Sequence, residues 1–423
     1  MPFGDLAGDL AVERARAGNY LPHVTPGGTP RAARRGHVRD RWRMGVEARA
    51  LTLLVAALLA FGLAVLYSAS AIVAISEERS SAFYLFRQLS GLALGAIAFA
   101  VAAKVDAERF ERWAWPMMWI ALVTMLLTVL PFTESFAPRV NGSRRFLLGR
   151  SIQPSEFAKL AVIAWTAMLV VKKGVVLRRL TQGLLPFLVV VGALAVLAAL
   201  EPDLSVAMMF FLLMSIVLFA GGVRIGHFIA LGALAIPVVW REAERLQYVL
   251  LRMVAFLDPG SGRSEVSYQL TQSLIAVGSG RLVGVGYGQG RQQYGFLPFG
   301  YTDFAGSNVG EEWGFIGMAA LVIAFALYGW LGLRIAERAR TPFLRLFAVG
   351  ITATTVITAY LHIGVVIGLL PTTGLTLPFV SYGRSYLVLS LFLTGILVNI
   401  GSTRERVYND GATDPLAYAP ASA

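Results

Sequence analysis

The chain has 423 residues, of which 56% are hydrophobic and only 15% are charged, and its apolar residues fall in long blocks. This composition is typical of an integral membrane protein and excludes an ordinary soluble domain. The absence of cysteine excludes disulfides and thiolate-bound haem or zinc, and four scattered histidines argue against a histidine-built metal site. The net charge of +12 is spread over both sides of the predicted bundle, so nucleic acid is not expected as a partner.

The first 50 residues are polar and arginine-rich, contain a TPGGTP turn cluster and lack the apolar core of a signal peptide. They predict a disordered, basic cytoplasmic tail. Residues 404–423 predict a second cytoplasmic tail, and the domain between the tails is expected over residues 51–403.

An apolar block of roughly 20 residues crosses a hydrocarbon core of about 30 Å as a helix. Open strands cannot satisfy their backbone in lipid, so the fold class is an all-α polytopic membrane protein with about ten transmembrane helices. The predicted spans are 51–74, 84–103, 115–132, 155–171, 185–200, 203–222, 225–240, 311–332, 345–370 and 379–400. The connections after the second, fourth, sixth and eighth predicted spans carry lysines and arginines. Because cytoplasmic connections are enriched in these residues, both termini are expected in the cytoplasm.

Two connections on the outer side carry arginines against this charge rule. Loop 133–154 includes the pair Arg144 and Arg145, and a large extracytoplasmic loop, 241–310, lies between the seventh and eighth spans. Long loops translocate largely regardless of charge, which explains the second loop better than the first. The alternative is an anionic ligand on the outer face, such as a phosphate or pyrophosphate held by guanidinium groups.

The large loop contains two patterned stretches. SEVSYQLTQSLIAVGSG, at 264–280, has apolar residues near helical spacing and predicts an amphipathic helix on the outer membrane surface. Glycines then alternate from Gly284 to Gly290 in neither the Walker nor the dinucleotide spacing, so we interpret that stretch as flexible backbone.

Ionisable residues inside spans are costly and therefore candidates for function. Glu156 and Lys159 are three residues apart and form either a structural ion pair or part of a substrate site. Asp203 either caps the sixth span or belongs to the same site. His362 is expected to be a packing residue, and the segment 368–386, rich in proline, glycine and hydroxyls, predicts broken backbone that lines a cavity.

Asp303 precedes the eighth span, and Glu311 and Glu312 stand at its N-terminus. Acidic residues at a helix N-terminus complement the helix dipole, which is one explanation for the two glutamates. The other is a divalent cation, Mg or Mn, held by Asp303 with Glu311 or Glu312.

Five motifs in order resemble the SEDS family (shape, elongation, division and sporulation), and the resemblance covers about residues 50–403. The motifs are NGSRRFLLGRSIQPSEFAKL, EPDL, YQLTQSLIAVGSG, LPFGYTDF followed by GEEWGFIG, and GLLPTTGLTLPFVSYG. The last motif and the long tail are similar to the division type, FtsW, more than to the elongation type, RodA. The resemblance implies a peptidoglycan glycosyltransferase of the bacterial inner membrane that polymerises lipid II on the periplasmic side. It also implies a class B penicillin-binding transpeptidase and other divisome or elongasome membrane proteins as partners.

The TDF motif implies that Asp303 is the catalytic base for an acceptor sugar hydroxyl, while cations stabilise the leaving pyrophosphate. The residues expected to bind substrate are Arg144, Arg145, Glu156, Lys159, Asp203, Gln272, Ser381 and Arg384. Two other functions stay open: a lipid II flippase or transporter, which needs no base at the outer mouth, and a non-catalytic scaffold of the division complex, in which Asp303 is dispensable.

The chain departs from the family pattern at several positions. The family has SYGGSS where this chain has Arg384 and Tyr386, a histidine at the position of Tyr301, and an asparagine at the position of His362. An apolar run is replaced by residues 305–309, AGSNV.

Overall fold

The computed structural model describes residues 38–130, 133, 145–147, 153–174, 177, 180–223, 226, 228, 247–258 and 265–408. Within these residues the fold consists of twelve α-helices and two short strands. The helices are α1 Val46–Ser76, α2 Phe83–Lys104, α3 Arg109–Val129, α4 Pro154–Lys173, α5 Leu185–Leu200, α6 Leu204–Ala220, α7 Gln247–Leu257, α8 Glu265–Ser279, α9 Ala305–Glu312, α10 Gly314–Glu337, α11 Pro342–Val366 and α12 Arg384–Ile400. The strands β1, Val38–Met44, and β2, Ser402–Tyr408, form a two-stranded sheet.

The predicted fold class is confirmed. Over the described residues, seven helices are long and apolar enough to cross a membrane, and α6 and α12 are shorter apolar helices. The predicted seventh span, 225–240, lies outside the described residues except for positions 226 and 228. The protein is therefore an all-α polytopic membrane protein.

The chain divides into two units. The larger, Trp42–Thr403, contains all twelve helices, and the smaller combines Met1–Arg41 with Arg404–Ala423. Strand β1 and the start of α1 lie within the region predicted as a disordered tail, so the boundary predicted at residue 50 falls inside α1.

Helices α4 and α11 form the centre of the bundle. α4 is buried over nearly its whole length and packs against α3, α6 and α11. Polar side chains on α11 are satisfied within the helix: the hydroxyls of Thr352, Thr354 and Thr358 each donate to the carbonyl four residues earlier. Such bonding lets a membrane helix carry hydroxyls without leaving polar groups unpaired in lipid.

Helices α2 and α12 make the most extensive helix pair, and glycine allows their close approach. A Cβ at Gly395 of α12 would lie 2.6 Å from the carbonyl oxygen of Phe99. Small residues at such contacts let membrane helices pack backbone to backbone.

The amphipathic helix predicted in the large loop is present as α8, but it packs against α9 and α11. Its buried face contains Ser267, Leu270, Ser273 and Ala276. The Ser273 hydroxyl donates to the carbonyl of Val366 at 2.8 Å. The packed face of α8 therefore includes serines paired to other elements, which a hydrophobicity pattern does not register, and the position of this helix at the membrane surface stays a prediction.

The glycine alternation after α8 permits close backbone contact, so its interpretation as flexible backbone was wrong. The N–H of Val285 donates to the carbonyl of Glu311 at 3.0 Å, and that of Gly286 donates to the carbonyl of Glu312 at 3.1 Å. A Cβ at Gly284 would lie 2.1 Å from the Glu312 carbonyl oxygen. Only glycine fits there.

The eighth predicted span begins at Gly314 rather than at residue 311. The chain breaks between α9 and α10, where Gly314 has a φ of +61°. Glu311 and Glu312 thus end α9, at the negative end of that helix dipole. The helix-dipole explanation of these two glutamates was wrong.

Candidate active site

Asp303 lies in the turn before α9 and lines a cavity of about 550 Å³. Helices α2 and α4, the start of α6, the start of α12 and segment 374–376 form the other walls. The charged residues of its lining are Arg87, Arg145, Glu156, Lys159, Asp203, Asp303 and Arg384. Five of the eight residues expected to bind substrate, and the expected base, therefore share one cavity.

Asp303 is half-buried and also faces a second, small pocket of about 50 Å³ whose lining includes Arg252 and Gln269. Burial raises the pKa of Asp303 from its ordinary 3.8 to about 6, although the positive charges of Arg252 and Arg145 oppose the rise. The negative charge of Asp203 adds to it. A carboxylate with such a pKa is mostly ionised at neutral pH and still a stronger base than an exposed aspartate.

Arg145 is held at the start of α6 by three contacts. Its guanidinium lies 3.4 Å from Oδ2 of Asp203 and donates to the carbonyls of Glu201, at 3.3 Å, and Pro202, at 2.6 Å. Asp203 caps α6 as well, because its Oδ1 accepts from the Val206 N–H at 3.3 Å. Asp203 therefore caps α6 and also lines the cavity, while its role in substrate binding stays a prediction.

Glu156 and Lys159 form an ion pair in the wall of the cavity. The Lys159 Nζ lies 2.8 Å from Oε1 and 2.7 Å from Oε2 of Glu156, and Lys159 is only 1% exposed. The lysine Nζ also lies 5.2 Å from the ring centroid of Tyr386, within the range of a cation–π contact.

Arg384 lines two cavities. The second is an apolar groove of about 650 Å³ between α2, α4 and α12, formed by side chains such as Leu94, Ile97 and Phe392. Four residues line both the groove and the polar cavity: Gln153, Glu156, Arg384 and Ser385. The polar cavity therefore continues into an apolar one.

The segment between α11 and α12 is non-helical and lines the cavity, as predicted. The His362 Nδ1 lies 2.7 Å from the carbonyl of Leu375. The Gln88 side chain donates to the carbonyl of Ser381 and accepts from the N–H of Gly383, both at 3.2 Å. These contacts fix the wall opposite α4.

Three tyrosines, Tyr84, Tyr301 and Tyr382, form an aromatic cluster at the cavity. Their ring centroids lie 4.8 to 5.8 Å apart. The backbone N–H of Tyr382 donates to the carbonyl of Tyr301 at 2.9 Å, which joins the cluster to the turn that carries Asp303.

Glu311 and Glu312 do not fit the predicted metal site. The Glu311 carboxylate accepts the backbone N–H groups of Arg291 at 2.8 Å and Gln292 at 3.3 Å, and Glu312 accepts from the Ser68 hydroxyl. Neither glutamate lines the cavity with Asp303. Among the described residues, no three acidic, histidine or cysteine side chains come together as metal ligands.

Two other expected substrate-binding residues, Gln272 and Ser381, do not line the cavity, and a third falls where the structure gives no description. Arg144 lies outside the described residues. Gln272 is not among the lining residues, whereas Gln269, one turn earlier on α8, faces the pocket beside Asp303. The hydroxyl of Ser381 accepts from the Leu377 N–H at 2.9 Å and closes a turn.

Sequence reasoning missed Arg252, Gln269 and the tyrosine cluster as components of the site. The heptad-like spacing on α8 could have placed Gln269 on the helix face next to Gln272. No sequence signal could have placed Arg252, on α7, beside Asp303, because the contact joins elements about 50 residues apart.

The described residues thus define a polytopic membrane protein in which an ionisable cavity adjoins an apolar groove. The sequence profile of the FtsW/RodA/SpoVE family of cell cycle proteins matches residues 49–406. The chain belongs to this family, which confirms the resemblance found in its motifs.

Several relatives match over most of their length. The probable peptidoglycan glycosyltransferase FtsW of Trichlorobacter lovleyi is 36% identical over 367 residues, 86% of this chain and 96% of the relative. The stage V sporulation protein E of Bacillus subtilis is 36% identical over 352 residues, 83% of this chain and 95% of the relative.

Solved structures share the fold. A chain from a peptidoglycan synthase complex, studied for the coordination of polymerization and crosslinking, aligns with a TM-score of 0.69 at 27% identity over 84% of this chain and 97% of that one. The rod shape determining protein RodA of Thermus thermophilus aligns with a TM-score of 0.59 at 26% identity over 83% and 95%.

Proposed function

We propose that this chain is a peptidoglycan glycosyltransferase that polymerises lipid II, the undecaprenyl-pyrophosphate-linked disaccharide peptide, into glycan strands. The names of the FtsW relatives support the reaction class. The observation that carries the proposal is that Asp303 lines a polar cavity that continues into an apolar groove. A polymerase of lipid-linked sugars needs this combination, because its substrate is a long hydrocarbon chain joined to a polar headgroup.

In this reaction an acceptor sugar hydroxyl attacks the anomeric carbon of the donor, and the bond from that carbon to the pyrophosphate oxygen breaks. The hydroxyl proton passes to the carboxylate of Asp303, whose pKa of about 6 suits a base at neutral pH. Arg145 and Arg252, which lower that pKa, supply positive charge near the developing charge on the leaving group.

The tyrosine cluster supports a sugar ligand in the same cavity. Sugar rings present apolar C–H faces, which pack on aromatic rings, and hydroxyls, which bind polar groups at the rim. Tyr84, Tyr301 and Tyr382 offer such a surface beside the turn that carries Asp303.

We place the protein in the bacterial inner membrane with both termini in the cytoplasm and the cavity facing the periplasm. The last turn of α10 contains Arg334 and the connection to α11 contains Arg338 and Arg340, whereas Asp303 precedes the opposite end of α10. Cytoplasmic connections are enriched in lysine and arginine, so this connection is assigned to the cytoplasm.

A crosslinking partner is part of the proposal. A structural neighbour comes from a peptidoglycan synthase complex that couples polymerization to crosslinking. We therefore expect a class B penicillin-binding transpeptidase, together with other division or elongation membrane proteins, to bind this chain. A divalent cation at Asp303 stays a prediction, and no step of the proposed reaction depends on it.

The test is polymerisation of fluorescent lipid II by the purified protein, with and without its transpeptidase, followed on a gel. We expect glycan strands from the parent and none from Asp303→Asn, while both bind lipid II. Glu337→Gln, a neutralised exposed carboxylate at the far end of α10, serves as the control and should polymerise normally.

Two outcomes would favour the alternatives. A flippase moves labelled lipid II across proteoliposomes without making polymer, and its transport survives Asp303→Asn. A scaffold supports growth with Asp303→Asn in place of the parent. Polymer of normal length from purified Asp303→Asn would refute the base assignment.

A further inference from the structure

The residues shared by the groove and the polar cavity carry an unbalanced positive charge. Of the four shared residues, Gln153 and Ser385 are neutral, and Glu156 is neutralised by Lys159. Arg384 has no ion pair or hydrogen bond to any other described residue. The boundary between the two cavities therefore contains one net cation, half-buried at the first residue of α12.

The other cations of the cavity are paired with carboxylates or exposed. Arg145 contacts Asp203 and two carbonyls, Lys159 contacts Glu156, and Arg87 is exposed, with its guanidinium 5.5 Å from the ring centroid of Phe83. A half-buried guanidinium beside an apolar groove is unfavourable unless an anion accompanies it. The position of Arg384 therefore calls for an anionic partner that arrives with a ligand.

We propose that Arg384 binds the phosphate group that joins a polyprenyl chain to its headgroup, with the chain in the apolar groove and the headgroup in the polar cavity. This deepens the proposed function and rests on it for the identity of the headgroup. The chemical class, a phosphate on a long branched hydrocarbon, follows from the order of the surfaces: apolar, then cationic, then polar. Guanidinium binds phosphate with two parallel hydrogen bonds, so arginine suits this position better than lysine.

The stem of Arg384 also has a packing role that the experiment must separate from its charge. A Cβ at Gly91 of α2 would lie 3.2 Å from Cα, Cβ and Cγ of Arg384, so the stem lies close against that helix. Arg384→Gln keeps these stem atoms and removes the charge. Arg340→Gln removes an exposed arginine from the turn between α10 and α11, outside both cavities, and is the matched control.

The two probes are geranylgeranyl pyrophosphate and geranylgeraniol, which differ only in the pyrophosphate group. Each is titrated into the protein in phosphatidylcholine nanodiscs. We expect the parent and Arg340→Gln to bind the pyrophosphate at least tenfold more tightly than the alcohol. Arg384→Gln should lose roughly ten- to a hundredfold in affinity for the pyrophosphate and nothing for the alcohol, with Arg384→Lys between them. Equal pyrophosphate affinity in parent and Arg384→Gln, or an equal loss for both probes, would overturn the proposal.

A competition arm separates a polyprenyl phosphate from an ordinary phospholipid. Phosphatidylglycerol should displace the pyrophosphate probe at least tenfold less effectively than unlabelled geranylgeranyl pyrophosphate. Equal displacement would overturn the polyprenyl assignment, because any lipid phosphate would then serve.

These readouts do not depend on polymerisation, so they stand apart from the test with Asp303→Asn. In the polymerisation assay, Arg384→Gln should raise the KM for lipid II about tenfold and change kcat by less than threefold. A loss confined to kcat would contradict a binding role for Arg384.

Discussion

His362 fits against Gly306 because position 306 has no side chain. The imidazole Nε2 accepts the N–H of Gly306 at 3.1 Å, and a Cβ at 306 would lie 3.3 Å from both Nε2 and Cδ2 of the ring. Since Nε2 accepts, Nδ1 carries the proton and donates to the carbonyl of Leu375. The ring thus connects the start of α9, three residues after Asp303, to the opposite cavity wall.

This relationship predicts energetic coupling between the two residues. Gly306→Ala should lower the thermal midpoint in detergent, because the new methyl group pushes on the ring. In a His362→Ala background the same substitution should cost less, with a coupling energy of about 1 kcal/mol. Purely additive changes in the free energy of unfolding would contradict the contact.

The raised pKa of Asp303 predicts a pH dependence of polymerisation. The base must be deprotonated, and its pKa of about 6 lies above the ordinary value, so kcat/KM should be constant above pH 7 and fall about tenfold per unit below pH 6. Arg252→Gln removes a charge that favours the ionised form and should move the midpoint to higher pH. A midpoint near 4 in the parent would contradict the burial of this carboxyl.

The Glu156–Lys159 pair predicts that neutralising one residue destabilises the protein more than exchanging the two residues. Either Glu156→Gln or Lys159→Met leaves one charge without its partner in a buried position and should destabilise the protein by about 3 kcal/mol. Exchanging the two residues should restore part of the stability but little activity, since the cavity wall then presents the charges in reverse. Unfolding midpoints equal to the parent's in both single variants would show that the pair contributes nothing.

The arginines of the short loop predict a loss of substrate affinity. A charge-assisted contact to phosphate contributes about 1.5–3 kcal/mol, so Arg144→Ala or Arg145→Ala should weaken lipid II binding roughly ten- to a hundredfold. Lysine at either position should rescue in part. Because Arg145 also contacts Asp203 and two carbonyls, the unfolding midpoint of each variant is measured beside its affinity to detect indirect effects on the turn. Unchanged affinity in the double alanine variant would remove both arginines from the binding site.

We expect Glu311 to contribute to the stability of the protein and not to any metal dependence of polymerisation. Glu311→Gln weakens two contacts to the backbone N–H groups of Arg291 and Gln292 and should lower the unfolding midpoint. Any effect of EDTA or added Mg²⁺ on polymerisation should be the same in this variant as in the parent. A weaker apparent metal affinity in Glu311→Gln would return this glutamate to a metal site.

The bundle could be predicted because each span is a local apolar block, and the described helices follow the predicted spans within a few residues at most ends. The grouping of Arg145, Asp203 and Lys159 around Asp303 followed from motifs, since each lies where a span meets a loop. Residues at the outer ends of the spans lie at the same end of the bundle, in whatever order the helices pack.

The other parts of the candidate site could not be predicted, because they depend on contacts between segments far apart in the sequence. Arg252 beside Asp303 and the pairing of Ser273 with Ser307 depend on how α7, α8 and α9 meet, which no periodicity encodes. Gly306 and His362 lie 56 residues apart in the sequence, whereas in the structure they form one contact. A contact of this kind becomes visible only when both partners are placed.

Residues 281–286 pair with the break between α9 and α10 through backbone hydrogen bonds, and this pairing has a consequence for dynamics. Besides the two bonds to the glutamate carbonyls, the N–H of Phe315 donates to the backbone carbonyl of Arg281 at 2.8 Å, and the N–H of Ile316 donates to that of Leu282 at 3.1 Å. Amide protons on both sides of this seam should exchange slowly with solvent deuterium, as a single cooperative unit. The backbone behind the turn that carries Asp303 is therefore expected to open only when these hydrogen bonds break together.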